Sequence, residues 1–414
     1  MFRTGSKEAL GLNYLIIGAS AAGLAAAETL RQVDPNGRVA ILCRETRPYS
    51  RVLLPHLLAG AVEERDVFLS VPEGVELLGG KEVVGVDPGQ REVAVSTGHA
   101  FPFDKLLVAS GASPVRPEVE GADLPFVFTV RHLSDVRRMR ERVEKGKRAV
   151  IAGGGLVSMR VGEALHGLGM EVTLVISSDR VLSRILDRPA SAIVERALAE
   201  RGIEVIKGDE IVHIVEGEAR LRSGKRRKCA LVVFGKGVRP NVGFLQGSGI
   251  EVRRGVVVDE RQRTNLADIY AAGDVAEAMD IAYGERRINA LWPVAREQGH
   301  IAALNMAGVP AVYEGSVARN TLEVFGLPIF TAGMGREEGP EVLREQGKGF
   351  YRKLVLDRGV LKGVIFVGRM ANEGLYLFLI KRKVDVSSFA RPLLKNAFGY
   401  PDLVYRPLCP SCLG

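Results

Sequence analysis

Two segments of the chain carry glycines at a spacing suited to holding phosphate. Residues 14–23, YLIIGASAAG, place Gly18, Ser20 and Gly23 after a short apolar strand, and residues 148–158, RAVIAGGGLVS, place Gly153, Gly155 and Ser158 after another. In such a turn the first glycine lets the chain reverse, the second lets the backbone approach a pyrophosphate, and the third lets helix and strand pack closely. The helix start then offers free N–H groups and a positive dipole to an anion. Serine replaces the middle glycine in the first copy and the last in the second. One such turn is a weak signal. Laid on one another, the copies also match Gly18 with Gly153, Glu28 with Glu163 and Leu30 with Leu165. That repetition points to two dinucleotide-binding units.

The elements that must position these turns are legible. A strand over Tyr14–Ile17 leads into a helix over Leu24–Gln32 and a strand over Val39–Leu42, and the second copy ends in a strand over Val172–Ile176. Strand–helix–strand alternation of this kind argues for parallel sheets. Residues 83–95 read as a hairpin, 103–114 as an apolar strand ending at Gly111, and 229–240 as another strand. Residues 264–275 read as a turn, a short strand and Gly273-Asp274. This order implies one nucleotide unit interrupted by the second.

Composition sets the outer bounds. The chain has 414 residues, 46% apolar and 26% charged, with 48 glycines, four cysteines and a formal net charge of +8. This balance excludes a disordered or collagen-like chain, and the length buries several cores without disulfides. Lys and Arg are scattered, and the one dense run, Lys225-Arg226-Arg227-Lys228, is expected at a solvated hairpin tip; no nucleic-acid partner is expected. Cys43, Cys229, Cys409 and Cys412 are too few for a secreted scaffold and suit a reducing, cytoplasmic location. The uncharged run from Gly11 to Ala27 competes as a signal peptide, but it carries the nucleotide-binding spacing and continues as an amphipathic helix. No membrane span is expected, because the apolar runs are short or broken by glycine.

With these motifs together, the chain resembles the FAD/NAD(P)-dependent pyridine nucleotide oxidoreductases, in the branch of rubredoxin and ferredoxin reductases and the nitrite reductase flavin domain. The first glycine turn, Asp104 to Gly111, Gly237-Val238-Arg239-Pro240, Ala272-Gly273-Asp274, Leu291-Trp292-Pro293 and Glu297-Gln298-Gly299 carry the resemblance in order and spacing. It implies an α/β fold of two Rossmann-like domains, one for FAD and one for NAD(P), one inserted in the other, with a C-terminal α+β interface domain. The boundaries are 1–116 and 241–311 for FAD, 117–240 for NAD(P), 312–400 for the interface domain and 401–414 for a tail. The interface domain allows a homodimer.

The resemblance also implies roles. Gly18, Ser20 and Gly23 would lie on the FAD pyrophosphate, Glu45 on the adenosine ribose, and Ser110, Gly111, Gly273 and Asp274 on the rest of the cofactor, Asp274 at the ribityl chain. The competing reading of Asp274 is a helix N-cap. Arg51 would sit against the flavin. His56 falls where ferredoxin reductases carry a flavin-adjacent lysine, and it either stabilises charge as the flavin is reduced or lies on a helix surface. Trp292 either closes over the flavin or packs in a core.

Two departures matter. Residues 46–60 contain no cysteine, and Cys43 is expected to be packed, which disfavours dithiol relay chemistry. In the second unit Ile176 stands where NAD-preferring relatives carry an acid, and Arg160 where many carry a glutamate. Gly153 and Gly155 are expected on the nicotinamide nucleotide. Arg180 and Arg184 would favour a 2′-phosphate, so NADH without the acid, NADPH through arginine, and weakened binding all stand.

The tail ends in Cys409-Pro410-Ser411-Cys412, half of a rubredoxin-like or zinc site, a redox dithiol, or a tail that happens to carry thiols. No complete metal motif is present. The expected function is an FAD-dependent oxidoreductase exchanging hydride with NAD(H) or NADP(H) and single electrons with an iron–sulfur or rubredoxin-type partner. It would act alone or as the FAD subunit of a complex of the nitrite reductase, carbon monoxide dehydrogenase or tungsten aldehyde oxidoreductase type. A stand-alone NAD(P)H oxidase and a non-catalytic flavin-binding subunit are the alternatives.

Overall fold

The computed structural model describes residues 11–395 and 398–405. Two five-stranded parallel sheets carry the two glycine turns. In the first, Asn13–Ile17 sits between Arg38–Cys43 and Lys105–Val108, with Val75–Gly79 and Ile269–Ala271 at the edges. In the second, Arg148–Ala152 sits between Glu171–Ile176 and Leu231–Phe234, with Glu204–Lys207 and Val127–Thr129 at the edges. The two strand orders are the same, so the duplication seen in the glycine turns extends to whole sheets. The outer strand beside Lys105–Val108 arrives after the second unit in the chain, whereas its counterpart, Val127–Thr129, arrives before the second glycine turn. Strands covered on both faces read as continuous apolar runs, and Ile16, Ile41, Leu107, Val150, Ile151 and Val232 are all fully buried.

The two crossings between the units lie side by side, Ala112–Pro114 pairing antiparallel with Val238–Pro240. Gly111 and Gly237, at φ of +67° and +93°, break each long apolar run that the sequence reads as one strand into a sheet strand and this ribbon. The expected hairpin at 83–95 forms, Val83–Asp87 pairing with Glu92–Val95. The basic run starts in a hairpin turn: Lys225 closes it, Arg226–Lys228 is the strand that pairs with Glu218–Leu221, and Lys225, Arg226 and Lys228 are exposed. Arg227 is tied instead to Glu204 of the second parallel sheet at 2.5 Å.

The C-terminal part is a five-stranded antiparallel sheet in the order Arg319–Val324, Leu327–Gly333, Val360–Val367, Phe350–Asp357, Glu341–Gly347. The helix Glu373–Arg382 covers one face with Leu375, Tyr376, Leu379 and Ile380. The other face shares a core with the second unit and with the short helix Leu54–Leu58, through Leu54, Leu57, Met159, Leu322, Tyr351 and Ile365. Among the described residues, no helix is long and apolar enough to cross a membrane, and no cluster of three or more His, Cys, Asp or Glu could hold a metal. Cys409 and Cys412 lie outside the described residues.

Candidate active site

The C-terminal ends of the first sheet open into a cavity of about 420 Å³. Gly18 turns the chain there at φ +111°, and a Cβ on it would lie 2.3 Å from the Ala109 carbonyl. Ser20 then starts the helix Ala21–Val33 with its hydroxyl uncommitted to a cap and no acid in the first turn. Gly23 does not line the cavity. It serves the packing beneath, where a Cβ would lie 1.9 Å from the Gly18 carbonyl.

A second helix start faces the same space. Trp292 begins the helix Trp292–Met306, again with no side-chain cap and no acid in its first turn, and Trp292 lines the cavity while its inner edge packs on the first unit's core. The two helices cross closely at Gly299, whose Cβ would come 2.2 Å from the Ala22 carbonyl. Gln298 Oε1 accepts the Gly273 N–H at 2.8 Å. Gln298 and Gly299 thus support the cavity wall from behind, through Gly273 and Ala22. Asp274 lines the cavity and is followed by the strand Ala276–Asp280, so the N-cap alternative does not apply.

Glu45 and Arg51 line the cavity as an ion pair at 2.6 Å, each about a quarter exposed. Burial works to raise the Glu45 carboxyl, but Arg51, its own backbone N–H and Arg44 together hold it below the usual carboxylate range. His132 Nδ1 lies 3.9 Å from Glu45, and burial, opposed by Asp135, keeps that imidazole below its ordinary value. Cys43 also lines the cavity, 4% exposed, and burial followed by the Glu45 charge pushes its thiol up. Ser110 and Gly111 line the cavity beside Gly18, at the end of the neighbouring strand. His56 is exposed on the helix Leu54–Leu58 and is not among the lining residues. Leu54, Leu57 and Leu58 take the buried face of that helix, which rotates His56 outward.

Asn241 and Arg131 are among the lining residues that the sequence motifs do not signal. Asn241 follows Gly237-Val238-Arg239-Pro240 and staples the wall: its Nδ2 donates to the Ser110 carbonyl at 2.8 Å, and its carbonyl accepts the Ser110 hydroxyl at 2.8 Å. Arg131, from the segment between Val127–Thr129 and the next helix, pairs with Asp274 at 3.1 Å. The Nε atoms of Arg51 and Arg131 are both buried without a partner. An unpaired buried donor costs about 1–3 kcal/mol. Two such donors, two open helix starts and two acids lining one cavity fit a ligand with phosphates at one place and hydroxyls and carbonyls at others, as FAD has.

The second glycine turn is intact in form. Gly153 has φ +127°, and Gly155 starts the helix Leu156–Gly167 with open space before it. Ser158 is fully buried and its hydroxyl has no partner. Ile176 ends its strand buried. The next acid, Asp179, is taken by Arg180 at 2.8 Å and Arg188 at 2.5 Å. Arg180 also donates Nε to the Leu186 carbonyl. Arg184 is exposed over Gly237 and has no ion pair among the described residues. Arg160 pairs with Glu163 at 3.1 Å, and Glu163 accepts the Phe325 N–H of the C-terminal sheet. Arg160 and Arg180 are thus committed within the protein, and Arg184 is the accessible cation of the three.

Comparison with known proteins agrees with this geometry. The model of the pyridine nucleotide-disulphide oxidoreductase family matches residues 12–299. The chain is 30% identical over 399 residues to the NADH-dependent phenylglyoxylate dehydrogenase subunit epsilon of Aromatoleum evansii, covering 92% of this chain and 94% of that one. It is 29% identical over 404 residues to the nitrite reductase [NAD(P)H] of Bacillus subtilis, covering 92% of this chain and 49% of that one. In fold it is similar to the solved covalent putidaredoxin reductase–putidaredoxin complex, with a TM-score of 0.88 at 23% identity, covering 95% of this chain and 98% of that one.

Proposed function

The chain belongs to the pyridine nucleotide-disulphide oxidoreductase family, and on that premise we propose that it is an FAD-dependent oxidoreductase using NAD(P)(H), with an iron–sulfur or rubredoxin-type protein as electron partner. The observation that carries the reading is one cavity lined by Arg51 and Arg131, whose Nε atoms are buried and unpartnered, and by two helix starts without a side-chain cap. FAD, when bound, would supply hydride exchange with the nicotinamide and single-electron exchange with the carrier.

This chain's residues would do the holding. The Gly18–Ala22 turn and the helix behind it would meet the pyrophosphate. Glu45 and Asp274, as carboxylates, would accept hydrogen bonds from sugar hydroxyls. Arg51 and Arg131 would turn their free Nε–H groups to acceptor atoms of the cofactor, and Trp292 would shield it from water. The second turn, Gly153 to Gly155, would hold the nicotinamide nucleotide. The acid-free end at Ile176 and the accessible Arg184 support binding of either nucleotide, with the arginine favouring a 2′-phosphate. Cys43 is buried beside Glu45, which supports chemistry without a thiol relay. The near-full-length likeness to a protein named as a subunit favours a role as the FAD subunit of a larger redox complex.

Anaerobic mixing of the FAD-loaded chain with NADH and, separately, NADPH tests this. Bleaching of the visible flavin absorbance by at least one nucleotide, and faster return of colour with an iron–sulfur carrier than with oxygen, is the expected result. No bleaching by either overturns it, and faster return with oxygen than with any carrier would make the chain an oxidase.

A further inference from the structure

The loop after the strand Glu171–Ile176 carries Arg180 and Arg184, and it is held in an unfavourable shape. Leu182 is buried at φ +51°, a left-handed conformation that side chains with a Cβ resist. It is held there because its N–H donates to the Gly154 carbonyl of the glycine turn at 2.8 Å. Its neighbour Val181 donates N–H to Glu195 at 3.2 Å and accepts the Ser191 hydroxyl at 2.8 Å. Glu195 and Ser191 belong to the helix Arg188–Ala199. The position of that helix therefore sets the position of the loop.

The helix start is in turn gripped from the C-terminal sheet. Asp187 caps it, accepting the Ala190 N–H on Oδ1 at 3.2 Å. Its Oδ2 accepts the Tyr351 hydroxyl at 2.8 Å and pairs with Lys353 Nζ at 3.3 Å. Tyr351 and Lys353 stand on the same face of Phe350–Asp357 and are fully buried. Lys353 also donates to the Glu337 carbonyl at 2.9 Å and to Glu338 at 3.1 Å. A buried ammonium is kept only where acceptors surround it, and Asp187 is the acceptor contributed by the nucleotide-binding unit.

We propose that Lys353 and Tyr351, acting through Asp187, are positioning residues for the nicotinamide-nucleotide site: the C-terminal sheet holds the Arg180–Arg184 loop in its binding shape. The inference rests on the reading that this loop meets the nucleotide. If the loop leaves its binding shape, apparent affinity falls in proportion to the competent fraction, while chemistry on bound nucleotide is unaffected.

Asp187→Ser is the informative variant, because serine still caps the helix but lets go of Tyr351 and Lys353. Lys353→Met is the second, and Asp187→Asn, whose one amide oxygen can cap the helix or face Lys353 but not both, should behave like Asp187→Ser. Two readouts are taken on the FAD-loaded chain. The first is hydrogen exchange of the peptide covering residues 178–186, without nucleotide. The second is the Kd for NADH and NADPH, with the limiting rate of flavin bleaching. Asp187→Ser is expected to speed exchange across the loop and to raise Kd about tenfold, as for a competent fraction reduced to about one tenth, with the limiting rate within about twofold. Unchanged exchange, or a fall in the limiting rate with Kd unchanged, overturns the proposal. A wild-type chain that binds neither nucleotide overturns the functional reading itself, and the exchange data then show separately whether the anchor holds the loop.

Discussion

Ser158 fills the space that a side chain on Gly235 would need, since a Cβ built on Gly235 would lie 2.2 Å from the Ser158 Oγ. In the first unit the same two places hold Gly23 and Ala109, with the Gly18 turn facing the Ala109 carbonyl as the Gly153 turn faces that of Gly235. Small and larger residues have changed places across one contact. Gly235→Ala alone should destabilise by roughly 1–3 kcal/mol through overpacking, and Ser158→Gly/Gly235→Ala should recover most of it. Chemical unfolding of the three variants measures this, and equal stability of the single and double variants would refute the exchange.

Arg131 crosses from the second unit to pair with Asp274 in the first. Asp274→Asn and Arg131→Met should each weaken FAD retention at least about tenfold, since each leaves a part-buried partner unsatisfied. The double variant should lose less than the two losses combined, because the residues share one interaction. FAD titration of the apoprotein followed by visible absorbance gives all three values.

Glu45 should contribute an acid limb to stability. Its folded-state carboxyl lies below the ordinary value of 4.5, with burial outweighed by Arg51, its own N–H and Arg44. A depressed folded value means that the contribution is fully present above pH 4.5 and is lost as pH falls through the folded value. Melting temperatures of wild type and Glu45→Gln should therefore differ by a constant amount near neutral pH and converge as pH falls from 4.5 through the lowered folded-state value.

The two described thiols should be inert in the folded chain. Burial, then Glu45, pushes Cys43 up, and burial, then Glu218, pushes Cys229 up to about 11. In a Cys409→Ser/Cys412→Ser background, thiol reagent at pH 7.5 should label neither until denaturant is added, and reduction should produce no thiolate–flavin absorbance band. Fast labelling of one thiol in the native state would reopen a thiol relay.

His56 is exposed and outside the cavity lining, whereas Arg51 lines it. His56→Ala should leave the rate of flavin bleaching within about twofold of wild type. Arg51→Met should lower FAD retention instead. A rate loss above tenfold in His56→Ala would restore the catalytic role that the sequence suggests for it.

The family resemblance pointed to Gly18, Ser20, Glu45, Arg51, Ser110, Gly111, Gly273, Asp274 and Trp292, all of which line the cavity, and the order of residues alone set both glycine turns, the parallel strands around them and their paired use. These are local properties: a positive φ demands glycine where the chain turns, and a strand buried on both faces must be apolar along its length. Packing across the chain supplied what no local pattern contains. It brought Arg131 across to Asp274, turned His56 outward by burying the leucines around it, spent Arg160 and Arg180 on internal partners, and set Lys353 of the last domain against Asp187 of the second. Each of these depends on which elements pack together and on the rotation of a helix about its axis. Contacts between residues far apart in the chain fix both, so they became visible only once the sheets were assembled.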